Sequence, residues 1–383
     1  MAADLALALG GGGARGAYQV GVLRFIAENH PELGVPLLTG VSAGGINAAH
    51  LANHQGNFRE KVEDLTKLWS RLTVEQVFRV DYTSLMRGML GWAMQLSFFG
   101  GRRHVREMRG LVDTTPLAKY LEGALGCEGG ALCGVQQNID RGNLRALAMT
   151  TTSYATGRTV TWCQGREVEL WERPQRVSEL TRMGLEHVLA SAALPFLFPA
   201  VEVAGSWYGD GGVRLHSPLA PAIHLGASHI LAVSTRYGRQ NSEARVAAVR
   251  GYPPPAQVAG VLLNAVFLDL LDQDAAQLIR TNGLLERCEG NPPAGLRKID
   301  LCILRPSMDL GKLARELEPS LPRPFRWLTR RLGTQRSNSN DLLSLVMFQP
   351  DYIARLISLG EEDARARAGE IEGFLERLRN AAD

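Results

Sequence analysis

The sequence predicts an α/β protein with a mostly parallel central sheet, and three observations carry that prediction. Residues 5–9, Leu5-Ala6-Leu7-Ala8-Leu9, form a short apolar run that leads through Gly10-Gly11-Gly12-Gly13-Ala14-Arg15-Gly16 into a helical pattern over 17–27. Residues 35–39 form a second run, which leads through Gly40-Val41-Ser42-Ala43-Gly44-Gly45 into a small-residue helical stretch at 46–52. Strand, turn and helix thus occur twice within about 55 residues, the signature of parallel strands in an α/β sandwich. Third, 383 residues with 45% hydrophobic and 21% charged side chains are enough for one large or two modest domains with a real core.

The elements follow in order. Ala17, Val20, Leu23, Arg24 and Ala27 fit an i, i+3, i+4 helix pattern, and Pro31 and Gly34 close that unit. Residues 58–79 read as an amphipathic helix. Residues 85–99 are unusually apolar and run into Gly100-Gly101-Arg102-Arg103-His104. That segment admits two readings, an interfacial lid with Trp92, Phe98 and Phe99 in lipid, or a buried helix. Asp113-Thr114-Thr115-Pro116 is a helix start. Residues 144–154 and 159–163 read as a hairpin, and 185–193 as a small helix stopped by Pro195. Residues 201–203 lead to Trp207-Tyr208-Gly209-Asp210-Gly211-Gly212, and 229–234 read as a further strand. Beyond Arg236 the texture changes. A proline-rich loop or linker spans 237–256, a long helical pattern 258–285, a strand 299–304, a basic stretch 309–340 and a charge-laced helical region 352–379. The arginines of the basic stretch suit either a solvated face or anionic lipid.

Composition excludes several classes. A net charge of +3 gives no case for nucleic acid. Five cysteines in 383 residues, an odd count, indicate free thiols in a reducing compartment such as the cytoplasm. The N-terminal apolar run lacks a basic region before it and reads as mature strand rather than signal peptide. No stretch reaches the roughly 18 uncharged apolar residues of a membrane span.

Three stretches can carry chemistry. Gly40-Val41-Ser42-Ala43-Gly44 is a G-x-S-x-G pattern. It suits a sharp strand-to-helix turn that needs small flanking residues and thrusts the serine out at the sheet edge. The helix behind it favours developing negative charge by about 0.3–1 kcal/mol. The glycine loop at 10–13 leaves backbone N–H groups uncovered at a helix N-terminus, a site for an anion. It also fits G-x-G-x-x-G, so a nucleotide-binding oxidoreductase is a rival. That rival wants an acidic residue at the end of the next strand about 20 residues on, whereas Glu32 lies in the loop before the strand. Asp210, between glycines, is either a base reaching another loop or part of a hairpin turn. A Ser–Asp–His triad is a further rival, since His216, His224 and His229 follow Asp210.

Taken together, Gly11-Gly12-Gly13-Ala14-Arg15-Gly16, Gly40-Val41-Ser42-Ala43-Gly44, Ala190-Ser191-Ala192-Ala193-Leu194-Pro195 with Phe198-Pro199, and Asp210-Gly211-Gly212 resemble the patatin-like phospholipase family, in the family's order. The resemblance implies a three-layer α/β/α sandwich. It covers roughly residues 5–235 and so implies a catalytic domain over residues 4–236; the change of texture marks a helical insert at 57–141 within it, and the helical patterns beyond it give a mostly helical extension over 237–383. The resemblance implies hydrolysis of lipid acyl esters by a Ser–Asp dyad, with no metal or other cofactor. Ser42 would be the nucleophile and Asp210 the base. The amides of Gly11, Gly12 and Gly13, with Arg15, would form or support the oxyanion hole, and Gly40 and Gly44 would flank the turn. Arg15 is better suited to anchoring the loop than to donating, because a long side chain is a less precise donor than an amide. The expected partners are a membrane lipid or lipid-like ester and peripheral membrane contact. Phe196, Phe198 and Trp92 are candidates for the acyl cleft.

Overall fold

Alternation of Leu and Ala in β1 (Leu5–Leu9) divides the core in two. Leu5, Leu7 and Leu9 face one apolar cluster with Tyr18, Leu23 and Ile26, while Ala6 and Ala8 belong to another with Leu219, Ala222 and Ile230. A strand buried on both faces, with no polar side, is what a central parallel strand requires. The computed structural model describes residues 4–79, 110–127, 129–238, 249, 251–267, 270–288, 296–336 and 340–382.

β1 pairs in parallel with β2 (Leu37–Val41) on one side and with β9 (His229–Val233) on the other. β3 (Ala146–Ser153) continues the parallel run beyond β2, and β10 (Asp300–Leu304) continues it beyond β9. On its far side β3 pairs antiparallel with β4 (Thr159–Gly165) through the expected hairpin; β4 then pairs in parallel with β6 (Arg176–Leu180), and β6 antiparallel with β5 (Glu172–Arg173). A second hairpin, β7 (Val201–Val203) and β8 (Ser206–Asp210), joins β3 antiparallel, so that Asp210 stands opposite Thr151. The ten strands form one sheet.

Helices cover both faces. α1 (Gly16–Asn29), α2 (Ala43–Asn53), α3 (Phe58–Arg71) and the Pro350–Ala366 helix lie on the leucine side of β1. The Ala220–His224 helix and the Leu270–Leu285 helix pack on the alanine side through Ala222, Ala275 and Leu278. The architecture is therefore the three-layer α/β/α sandwich, with a helix-rich C-terminal region that also contributes β10.

Where one helix was expected over 58–79, there are two. α3 ends at Arg71 and a short helix, Val74–Val77, restarts after Thr73, whose amide donates to the Gln76 side chain at 2.9 Å. That is half of a capping box, a local signal that competes with helix continuation. The 258–285 pattern divides into helices Pro255–Phe267 and Leu270–Leu285, and the 352–379 pattern into Pro350–Ala366 and Ala368–Ala382. At the latter break Arg367 turns to donate to the Ile303 carbonyl of β10 at 2.6 Å. The apolar stretch at 85–99 and the arginines after it lie outside the described residues. No described helix is long and apolar enough to cross a membrane. All five cysteines are free thiols.

The C-terminal region is locked to the N-terminal one by backbone-to-backbone contact of helices. Gly21 of α1 and Gly360 of the Pro350–Ala366 helix meet so closely that a Cβ on either would run into the other helix's carbonyls, Ile357 and Tyr18 respectively. Gly360→Ala is therefore expected to lose about 1–3 kcal/mol of stability by overpacking, read as a lowered urea midpoint. An unchanged midpoint would contradict this account of the contact.

Candidate active site

Ser42 stands between the end of β2 and the start of α2, with φ 55° and ψ −129°. Such a conformation is costly for a residue with a Cβ and persists only where the surroundings enforce it. They do so through glycine. A Cβ at Gly40 would strike the Gly44 backbone, and one at Gly44 would strike the carbonyls of Leu9 and Gly10. The turn is thus pressed against the end of β1. It is also tied from the opposite side. The Ser42 amide donates to Ser191 Oγ at 3.0 Å, and Ser191 Oγ donates to the Thr150 carbonyl of β3 at 2.8 Å.

The glycine loop runs alongside. A Cβ on Gly11 would come within 3.0 Å of Ser42 Cβ and 3.7 Å of Ser42 Oγ. Gly12 has φ 148° and Gly13 φ 55°, backbone shapes that L side chains rarely adopt. Thr235 Oγ1 donates to the Gly11 carbonyl at 2.5 Å, and Gln19 Nε2 donates to the Gly10 carbonyl at 2.8 Å. Among the described residues, the amides of Gly11, Gly12 and Gly13 donate to no acceptor in the chain. Arg15 follows, its guanidinium buried and hydrogen-bonded to Ser344 and Asp341.

Asp210 ends β8 and is fully buried. Its amide donates to the Ala193 carbonyl at 2.9 Å and its carbonyl accepts from Thr152 Oγ1 at 2.9 Å. On the carboxyl group, Oδ1 accepts from the Gly212 amide at 2.8 Å, while Oδ2 is buried and closes no hydrogen bond of standard geometry. Burial pushes the carboxyl up to about 7. The facing Ser42 hydroxyl and the Gly212 amide pull it back down, but less strongly. The structure therefore brings Ser42, Gly11 and Asp210 together, with the helical start of α2 behind the serine. Asp210 is not part of the hairpin turn, which Ala204 and Gly205 make at positive φ between β7 and β8.

None of the three candidate histidines joins this group. His216 is exposed, His224 stacks on Trp171 at 4.6 Å, and His229 begins β9 beside Leu5, at the opposite end of the strands from Ser42. Among the described residues no three His, Cys, Asp or Glu side chains group closely enough to hold a metal ion.

A small, almost wholly apolar pocket opens at Ser42. α3 lends Leu68 and Trp69, the Thr115–Ala124 helix lends Leu117, Tyr120 and Leu121, and Phe198 and Phe348 close it. Phe198 takes the place expected of it. Phe196 does not: it is 72% exposed on the surface with φ 65°. Trp92 lies outside the described residues.

Sequence reading missed the polar groups that hold the site. Asn47 donates to the Gln19 side chain at 2.9 Å and accepts from Trp69 Nε1 at 2.6 Å, joining α1, α2 and α3 beneath the loop. Asn47 stands in an otherwise apolar run, which is the one local sign of this network. Ser191 was visible only as part of a motif, with no role attached. Ser191→Ala should cost about 1–3 kcal/mol, because the buried Ser42 amide loses its acceptor. The measurement is the urea midpoint, and an unshifted midpoint would contradict the bridging role.

No curated protein sequence matches the chain. Solved structures resemble it distantly. They include human GIVD cytosolic phospholipase A2 (12% identity, TM-score 0.48, covering 100% of this chain and 60% of that one). VipD from Legionella pneumophila is another (13%, 0.40, 96% and 66%). A third is ExoU in its complex with SpcU from Pseudomonas aeruginosa (14%, 0.30, 99% and 60%). The chain thus spans less than two thirds of the length of each. The patatin-like phospholipase family profile matches residues 7–223, more than half of the 383. With that match over the glycine loop, the Ser42 turn and Asp210, the chain belongs to the patatin-like phospholipase family.

Proposed function

We propose that this protein is a serine hydrolase of lipid acyl esters, working through Ser42 and Asp210. Family membership supports lipid-ester hydrolysis. The observation that carries the residue assignment is a fully buried carboxyl group, raised to about 7, facing the hydroxyl of a strained serine at the mouth of an apolar pocket.

The acyl chain lies in the pocket and brings its ester carbonyl to Ser42. As Oγ attacks the carbonyl carbon, its proton passes to Asp210 and the carbonyl oxygen takes up negative charge. The amides of Gly11, Gly12 and Gly13 receive that oxyanion. Donors fixed in advance are worth about 2.7–4 kcal/mol each in such reactions. The tetrahedral intermediate collapses, the alcohol leaves with the proton from Asp210, and an acyl-Ser42 ester remains. Water then gives a proton to Asp210 and attacks the acyl carbon, and Ser42 regains its proton as the fatty acid departs. An ordinary carboxylate is a poor base. Burial brings Asp210 nearer to neutral pH, where a general base is most effective. Free cysteines accord with a cytoplasmic setting, and a lipid substrate with peripheral contact at a membrane surface.

Hydrolysis of a lipid ester at varied pH tests this reading. The base must be ionised, so kcat/KM should fall about tenfold per pH unit below an inflection near 7 and level off above it. Ser42→Ala should abolish turnover, and Asp210→Asn should lower it by at least about 100-fold. A pH profile flat from 5 to 8, on the order of a few units around this value, would contradict Asp210 as the base. Stability gives a second, independent sign. The folded-state value lies above the ordinary 3.8, so the folded chain holds a proton that the unfolded chain has released between about pH 4 and 7. Stability should fall as pH rises through that window. Asp210→Asn should melt higher than wild type at pH 8, and the gap should close as the pH falls toward 4. A variant that melts lower at pH 8 would argue against the burial cost.

A further inference from the structure

The glycine loop is held in shape by a segment more than 300 residues away. Arg15 directly follows the loop, and its own amide donates back to the Gly12 carbonyl at 3.1 Å. Its guanidinium donates through Nε and Nη2 to Ser344 Oγ at 2.8 and 2.5 Å, and through Nη2 to Asp341 Oδ1 at 2.7 Å. Only 3% of Arg15 is exposed. Asp341 and Ser344 stand three residues apart on one face of the Asp341–Val346 helix, and Asn340 fixes that helix by accepting from the Leu343 amide at 2.9 Å. The same helix presses on the loop directly, because a Cβ on Gly13 would overlap the Leu345 carbonyl. Two residues past the helix, Phe348 lines the pocket with Ser42.

The Nε and Nη2 donors of Arg15 are taken up by Ser344 and Asp341, which makes this side chain an anchor of the loop. An anchor there can set the angle at which the neighbouring amides face the ester. The structure assigns Asp341 and Ser344 as positioning residues for hydrolysis: acting through Arg15, they hold Gly11, Gly12 and Gly13 in oxyanion-binding geometry, so that residues 341–348 complete the active site. The assignment rests on the proposed role of the glycine loop.

The test uses the full-length chain and a soluble short-chain nitrophenyl ester. The variants are Asp341→Asn, Ser344→Ala, Arg15→Lys and the pair Arg15→Lys with Asp341→Asn. Misplacing donors by about 1 Å costs on the order of 100-fold in rate. Each single variant should therefore lose about 10- to 100-fold in kcat with KM unchanged. The pair should be no slower than the slower single variant, as expected of residues that act as one unit. Thermal melting of each variant identifies the folded ones. If Ser344→Ala does not fold, the isosteric Asp341→Asn carries the test. Folded variants with wild-type kcat, or with raised KM and unchanged kcat, would overturn the positioning role while leaving Ser42 and Asp210 in place. A wild type with no Ser42-dependent turnover would overturn the proposed function, and this assignment with it.

Discussion

The site depends on a carboxyl group kept out of water. Asp210 has one oxygen bound to the Gly212 amide and the other buried without a hydrogen bond. Leaving such a group unsatisfied costs stability, and the fold makes room for the cost by holding the backbone of Asp210 on both sides. The Ala193 carbonyl and the Thr152 hydroxyl fix its amide and carbonyl, and the Gly212 amide holds the carboxyl group in the interior. Ser42 is held with similar force in an unfavourable conformation by Gly40, Gly44 and Ser191. A strained serine at an apolar pocket, with a buried carboxyl group beside its hydroxyl, is the physical basis for reading this region as a reaction site rather than a tight turn.

The two ends of the chain are less separate than their textures suggest. The first 236 residues carry the glycine loop, the serine and the aspartate. The rest supplies β10 at the sheet edge, the Pro350–Ala366 helix against α1, and the Asp341–Val346 helix against the loop. Contact through Gly21 and Gly360 leaves no layer of side chains between those helices, so a shift of the C-terminal region would be felt at α1, whose N-terminus continues the loop. The shape of the glycine loop thereby depends on the C-terminal region as well.

Much of this was legible from the sequence because it is local. A strand, a glycine turn and a helix are written consecutively at residues 5–29 and again at 37–53, and the alternation in β1 already implies a sheet covered on both sides. Ser42, its flanking glycines and Asp210 stood out because turn chemistry limits which residues such positions accept. Other features were not legible, for physical reasons. The bond from Arg15 to Ser344 spans 329 residues, and nothing around Ser344 marks it as a partner. Helix breaks at Leu72 and Arg367 depend on a side-chain cap and on a bond to β10, which hydrophobic periodicity does not register. Phe196 looked like a cleft residue by type, yet its backbone turns it outward while Phe198 turns in. The burial of Asp210 could not be read from a stretch as rich in glycine as 209–212, which by composition suits an exposed loop.

The central claim is that Ser42 is activated by Asp210. It is tested most directly by labelling with a fluorophosphonate and mapping the modified peptide by mass, on wild type, Ser42→Ala and Asp210→Asn. The account predicts label on Ser42 in wild type, none in the alanine variant and a sharply slower reaction in the asparagine variant. A folded wild type that takes no label at Ser42, or an asparagine variant that labels as fast as wild type, would contradict it.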